Sequence, residues 1–340
     1  MKLRLDVPEW ATHIVSDLTD MDRNPHPVDA RKVRSFTLEL PDDVYFEYAF
    51  LDAQGAMRAD PKNPRRAENP WYPEVSAVTG PDYRPDALAE PEPLPTGEAQ
   101  RLRFETPRLE GTRRVTLYTP KGFGGEALPV VYVQDGVAFY RYAKLHLVLE
   151  HLIRQRRARP AHVAFIEPVE RTAEYGFNDA YRAFVLQEVL PEVERTVAAT
   201  GERVALGASL GGLASTLLAL DDPARFRTVV AFSGAFLGTP DDRRFYASKR
   251  SWVLAELRAR ERLPLRFYTE TGTLEWLTGV NRELAALLRD KGYEHRYVER
   301  SAGHNWTNWK NGLGGALSFA LERDPQRALE HSAEARRAGV

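Results

Sequence analysis

The run Gly207-Ala208-Ser209-Leu210-Gly211-Gly212 carries the strongest chemical signal in the chain. It separates an apolar run at residues 203–206 from a helix-prone segment at residues 210–220, which is the context that a G-x-S-x-G nucleophile elbow requires. No Gly-Lys-Ser/Thr follows, which argues against a phosphate-binding loop. The alternative is a glycine-rich turn used for packing. We predict that Ser209 is a nucleophile.

A serine nucleophile needs a histidine base and an acid that orients it. In a strand–elbow–helix fold of this kind the chain order is serine, acid, histidine, and the histidine follows the last strand. His304 lies in a small-residue turn directly after the strand-like run at residues 295–299. The other seven histidines fall in strand-like or helical segments, near the chain ends or before the serine. His304 is therefore the predicted base.

The acid should follow the strand before that one. Glu275 lies on the turn past the strand-like run at residues 265–269, and Glu270 at the strand end is the alternative. Trp276 is placed where it could shield a carboxylate from water.

Two backbone N–H groups should stabilise the oxyanion. One belongs to Leu210, the residue after the nucleophile. The other is expected from the turn that follows the strand-like run at residues 129–134, where Gly136 and Val137 are both candidates.

The elements that must position these residues alternate between strands and helices. Seven apolar or β-branched runs, several of them continuous, are typical of parallel strands that are covered on both faces. They occupy residues 115–118, 129–134, 162–166, 204–206, 229–232, 265–269 and 295–299. We predict an α/β domain over residues 99–324, with a mainly parallel sheet flanked by helices.

The preceding third of the chain has another character. Strand-like runs at residues 34–40 and 44–51, separated by turn residues, predict a small all-β sandwich over residues 1–90. A proline-rich linker is predicted at residues 91–98 and a charged tail at residues 325–340. Residues 1–98 carry a net charge of −8 and residues 99–340 carry +7. Either the second domain awaits an anionic ligand, or the two domains attract each other.

Residues 100–322 resemble the enterochelin-esterase-like family of serine esterases. The matching segments, in order, are PVVYVQDG, Arg171-x-x-Glu174-Tyr175, GASLGG, ETGTLEW and GHNWTNW. The resemblance implies an α/β-hydrolase fold with Ser209 as nucleophile, His304 as base and Glu275 as acid. The N-terminal region resembles the early-set immunoglobulin-like domains found in front of such enzymes.

The implied reaction is ester hydrolysis through an acyl-enzyme, with no metal and no cofactor. Arg171, Glu174, Trp276 and Trp306 are expected to line the substrate cleft, although an internal ion pair and core packing are the alternative roles. The two-domain layout favours a siderophore-type or related aromatic ester, whose substrate would be a small anionic or aromatic molecule. A feruloyl or acetyl sugar esterase, an acyltransferase, and a catalytically idle binding protein are the alternatives.

Composition excludes several other classes of protein function. A formal net charge of −1 argues against a nucleic-acid partner, and the absence of any long apolar stretch argues against a membrane span. The chain has no cysteine, which excludes disulfides and thiol chemistry. With no apolar leader at the N-terminus, a cytoplasmic location is expected. No sequence feature demands a particular oligomeric state.

Overall fold

The computed structural model describes residues 1–322, so the predicted tail at residues 325–340 lies outside the described part. Fifteen strands within it form one large sheet and two small ones. The strands are β1 Lys2–Asp6, β2 His13–Ser16, β3 His26–Pro27, β4 Ser35–Glu39, β5 Tyr45–Leu51, β6 Met57–Arg58, β7 Ser76–Thr79, β8 Glu98–Phe104, β9 Arg113–Thr119, β10 Leu128–Val133, β11 His162–Ile166, β12 Ala199–Ala208, β13 Thr228–Phe232, β14 Arg266–Gly272 and β15 Glu294–Arg300.

The large sheet has the order β15-β14-β13-β12-β10-β11-β9-β8. Strands β10 to β15 run parallel, whereas β8 and β9 pair antiparallel at one edge. All residues of β10, β11 and β13 are buried, as expected for strands covered on both faces. This sheet confirms the predicted α/β-hydrolase fold.

Eight α-helices of the described chain flank this sheet. They are α1 Leu145–Arg154, α2 Arg171–Tyr175, α3 Asp179–Phe184, α4 Leu190–Thr196, α5 Leu210–Asp221, α6 Trp252–Ala259, α7 Thr278–Asp290 and α8 Trp306–Ala320. Apolar side chains of α1 and α8 form the core on one face, and those of α3 to α7 form the core on the other. A π-helical turn at Val185–Val189 separates α3 from α4, because Pro191 has no N–H to continue a regular helix.

The N-terminal region folds as two small sheets. One pairs β1 with β4, and the other joins β3, β2, β5 and β6, with β7 also on β5. Apolar residues of both sheets share one core, which agrees with the predicted sandwich. Strand β8 already belongs to the large sheet. The limits at residues 90 and 98 stay predictions.

Oppositely charged groups connect the two regions. Lys310 on α8 is almost fully buried and contacts the carboxylates of Glu68, 3.0 Å away, and Glu90. Trp71 packs edge-on against Trp306 and Trp309. These contacts fit the interpretation that the acidic and basic parts attract each other.

Across residues 1–322, we find no helix with the length and apolar character of a membrane span.

Candidate active site

Ser209 lies on a sharp turn between β12 and α5. Its backbone adopts φ 57° and ψ −122°, a conformation that is strained for a residue with a side chain. A Cβ at Gly207 would come within 2.3 Å of the Gly211 carbonyl, so the turn can close only with glycine at that position. The N–H of Ser209 donates to the carbonyl of Phe232 at 2.8 Å. This anchored turn fixes the serine at the carboxyl end of the sheet.

Three side chains from separate loops form one hydrogen-bonded chain. His304 Nε2 lies 2.9 Å from Ser209 Oγ. On the other side of the ring, His304 Nδ1 contacts Glu275 Oε2. The structure thus brings together the three residues that the sequence predicted as nucleophile, base and acid.

The Glu275 carboxylate is buried, and groups of the protein donate hydrogen bonds to it. Its Oε1 accepts hydrogen bonds from the hydroxyl of Thr271 and from the N–H of Gly272, the latter at 3.0 Å. Burial by itself opposes the charged form, but the adjacent His304 ring and the Thr271 hydroxyl outweigh it and lower the pKa of Glu275. An ionised carboxylate at this position favours a proton on Nδ1, which leaves Nε2 free to accept one from serine.

Glu270, the alternative acid, does not reach His304. Its fully buried carboxylate pairs with Arg300 and accepts a hydrogen bond from Tyr268 Oη at 3.1 Å. Burial raises its pKa to about 7. Because Glu270 is still inside β14, its side chain points into the core under α8, whereas Glu275 lies on the following turn.

The predicted oxyanion loop adjoins the nucleophile. Asp135 follows β10 with φ 57°, and Gly136 and Val137 come next. Arg171 binds both carboxylate oxygens of Asp135, at 2.6 and 2.8 Å, and also donates to the Ala208 carbonyl at 3.2 Å. One guanidinium therefore joins the loop after β10 to the residue before Ser209. Leu210 opens α5, and the first N–H groups of a helix have no partner within it.

A cavity of about 190 Å³ opens above Ser209 and His304. Residues of the N-terminal β-rich region and of the α/β region both line it, and the lining is aromatic with two acidic side chains and two arginines. The lining residues are Asp17, Asp20, Met21, Arg23, Trp71, Tyr72, Arg171, Ser209, Tyr246, Trp276 and His304.

The four residues predicted to line the cleft divide into two pairs. Arg171 and Trp276 line the cavity, and the Trp276 ring lies 4.5 Å from that of His304. The prediction is wrong for Glu174 and Trp306. Glu174 is buried in an ion pair with Arg113, and Trp306 is fully buried beneath the histidine loop. Both lie on helices whose inner faces complete the core, which their place in the motifs did not reveal.

No sequence signal indicated four lining residues from the turns after β2, which are Asp17, Asp20, Met21 and Arg23. Asp17, Asp20 and Arg23 lie on short 3₁₀ turns after β2, which have no periodic pattern. Arg23 stacks over Tyr246 at 3.5 Å and over Trp276 at 4.3 Å. Only the packing of the N-terminal β-rich region against the α/β region brings these turns to the cavity. Within residues 1–322 we find no group of three or more acidic or histidine side chains arranged to hold a metal.

Comparison with known proteins places this chain in a family. The family model Esterase, described as "Putative esterase", matches residues 106–320. The iron(III) enterobactin esterase of Escherichia coli O6:H1 (strain CFT073) is 26% identical over 288 residues, which cover 82% of this chain and 71% of that protein.

Two solved structures share the fold. The enterobactin esterase of Shigella flexneri, solved in the presence of enterobactin, superposes with a TM-score of 0.72 at 21% identity and covers 94% of this chain and 92% of its own. The ferulic acid esterase of Anaeromyces mucronatus gives 0.58 at 17% identity, over 69% of this chain and 95% of its own.

Proposed function

Because the chain belongs to the Esterase family and is a carboxylic ester hydrolase, we propose that it cleaves siderophore-type or related aromatic esters through a serine acyl-enzyme. The observation that carries this proposal is the continuous contact from Ser209 through His304 to Glu275 at the floor of the cavity. An idle binding protein would not need a buried carboxylate aligned behind the histidine.

The contacts support a two-step reaction. His304 Nε2 takes the proton of Ser209 Oγ as the oxygen attacks the ester carbonyl, and the alcohol leaves with that proton. Glu275 stabilises the positively charged imidazole between these transfers. Water, activated by the same nitrogen, then hydrolyses the acyl-enzyme.

The oxyanion would be held by the N–H of Leu210 and by that of Gly136 or Val137. The Arg171–Asp135 pair supports this assignment, because it joins the loop after β10 to the residue before the nucleophile. Losing one such donor typically costs about 3 kcal/mol of transition-state stabilisation.

The lining supports an aromatic, anionic acyl group. The rings of Trp71, Tyr72, Tyr246 and Trp276 line the cavity, and the Arg23 guanidinium stacks over two of them, Tyr246 and Trp276. A volume of about 190 Å³ is below the range usual for sites that enclose a whole drug-sized ligand. The cavity would thus hold one arm of a larger ester, with the rest outside. The relatives named for enterobactin point the same way.

The test compares wild type with Ser209→Ala on a catecholate trilactone and on a feruloyl sugar. We expect turnover of the trilactone, lost in the variant, together with fluorophosphonate labelling of Ser209 in wild type only. Faster turnover of the feruloyl sugar would favour the sugar esterase, and transfer to an added alcohol would favour an acyltransferase. No labelling and no turnover would refute the proposal.

A further inference from the structure

The loop that carries His304 rests on a buried aspartate of the N-terminal sandwich. Asp17 follows β2 and is 3% exposed. Its Oδ2 accepts the N–H of Glu47 at 2.7 Å, and its Oδ1 accepts the side-chain amide of Asn305 at 3.2 Å. Burying a carboxylate is costly unless its hydrogen bonds are made, and here one of them comes from the residue after His304.

The residue before His304 contacts the same carboxylate. A Cβ at Gly303 would lie 1.9 Å from Asp17 Oδ1, so Asp17 occupies the space that a side chain would fill. Asn305 in turn accepts the N–H of Asn308 at 2.9 Å and so caps α8. Asp17 therefore holds both neighbours of His304 and, through Asn305, the start of the next helix.

Two further hydrogen bonds cross the same interface. The N–H of Tyr45 on β5 donates to the carbonyl of Ser301 at 2.9 Å, at the end of β15. The N–H of Trp276 donates to Asp20 Oδ1 at 3.2 Å, one residue after Glu275. The N-terminal sandwich thus contacts both the loop with the histidine and the loop with its carboxylate.

We propose that Asp17 is a positioning residue for His304, which makes the N-terminal sandwich part of the catalytic apparatus. The role rests on the proposed serine hydrolysis. Asp17 acts through the backbone of Gly303 and the side chain of Asn305. Its removal lets the imidazole drift from Ser209, and a misplacement of about 1 Å can cost roughly a hundredfold in rate.

The experiment exchanges the two partners. In Asp17→Asn an NH2 group replaces one of the two accepting oxygens, so either the hydrogen bond from Glu47 or the 3.2 Å hydrogen bond from Asn305 is lost. We expect kcat for 4-nitrophenyl butyrate to fall at least tenfold while KM stays within threefold. In the double variant Asp17→Asn/Asn305→Asp, the new amide donates to the new carboxylate and its oxygen still accepts the N–H of Glu47. We expect this variant to recover kcat to within threefold of wild type.

Asp60 provides the matched control. It is a buried aspartate of the same sandwich, bound to Tyr48 Oη at 2.7 Å and to the N–H of Lys62 at 2.8 Å. Asp60→Asn should keep kcat within twofold, and melting temperatures of all variants verify the fold.

Three outcomes would overturn the role of Asp17 alone. They are an Asp17→Asn variant with kcat within twofold of wild type, a double variant no more active than the single one, and an equal loss in Asp60→Asn. If wild type shows neither turnover nor fluorophosphonate labelling of Ser209, the proposed function fails and the role of Asp17 fails with it.

Discussion

Replacing Glu275 with glutamine should abolish most turnover and leave the fold intact. Its Oε1 accepts hydrogen bonds from Thr271 and Gly272, so the glutamine carbonyl takes that position and its amide faces His304 Nδ1. Nδ1 must then accept a hydrogen bond from that amide, which places the single ring proton on Nε2 and blocks transfer from serine. The lost charge interaction, at about 4 Å and an effective dielectric constant of about 20, is worth about 4 kcal/mol. That is roughly a thousandfold in kcat, and the wrong tautomer extends it toward ten-thousandfold.

Glu270→Gln is the matched control, because it also removes a buried carboxylate, in this case from β14, five residues before Glu275. Its loss leaves Arg300 without its carboxylate partner, so we expect a lower melting temperature but kcat within threefold of wild type. Hydrolysis of 4-nitrophenyl acetate and butyrate measures kcat, and thermal unfolding of the same variants measures the melting temperature. The reasoning is refuted if Glu275→Gln keeps more than a tenth of the activity, or if Glu270→Gln loses more activity than Glu275→Gln.

Three further predictions follow from the site. Ser209→Gly and Ser209→Ala should both be inactive. Only glycine relieves the strained backbone at this position, so Ser209→Gly should melt about 2 °C above Ser209→Ala. Equal melting temperatures of the two variants would contradict the strain. Arg23→Gln should lower kcat/KM about tenfold for 4-nitrophenyl 4-carboxybenzoate and less than twofold for 4-nitrophenyl 4-methylbenzoate. The exposed Arg34→Gln is the control. Equal losses on both esters would argue against recognition of the anion. Burial raises the pKa of Glu47 from 4.5 to about 7, so its contribution to stability is complete below about pH 4.5 and is lost as the pH rises through 7. Urea unfolding at pH 5 and pH 8 should therefore show a smaller pH dependence in Glu47→Gln than in wild type, and an unchanged slope would exclude Glu47 as the source.

The sequence was sufficient for the fold class. Continuous apolar runs such as those of β10 and β11 predict covered parallel strands because burial on both faces removes the polar alternation. The elbow at Ser209 could also be predicted from the sequence. The sharp turn leaves no room for a side chain at Gly207, so the turn requires glycine there. Chain order then placed His304 and Glu275 on loops at the same end of the sheet, and the structure joins their side chains. We propose catalytic roles for both.

Tertiary structure decided what long-range contacts control. Whether Glu174 and Trp306 face the cleft or the core depends on which helix face meets the sheet, and their motifs look the same in either case. The cavity wall built by Asp17 and Arg23 comes from irregular turns some 190 residues before the serine. Local sequence encodes turns, strands and helices because those depend on neighbouring residues. The shape and charge of the cavity depend on how the N-terminal β-rich region packs against the α/β region, and only the folded chain determines that.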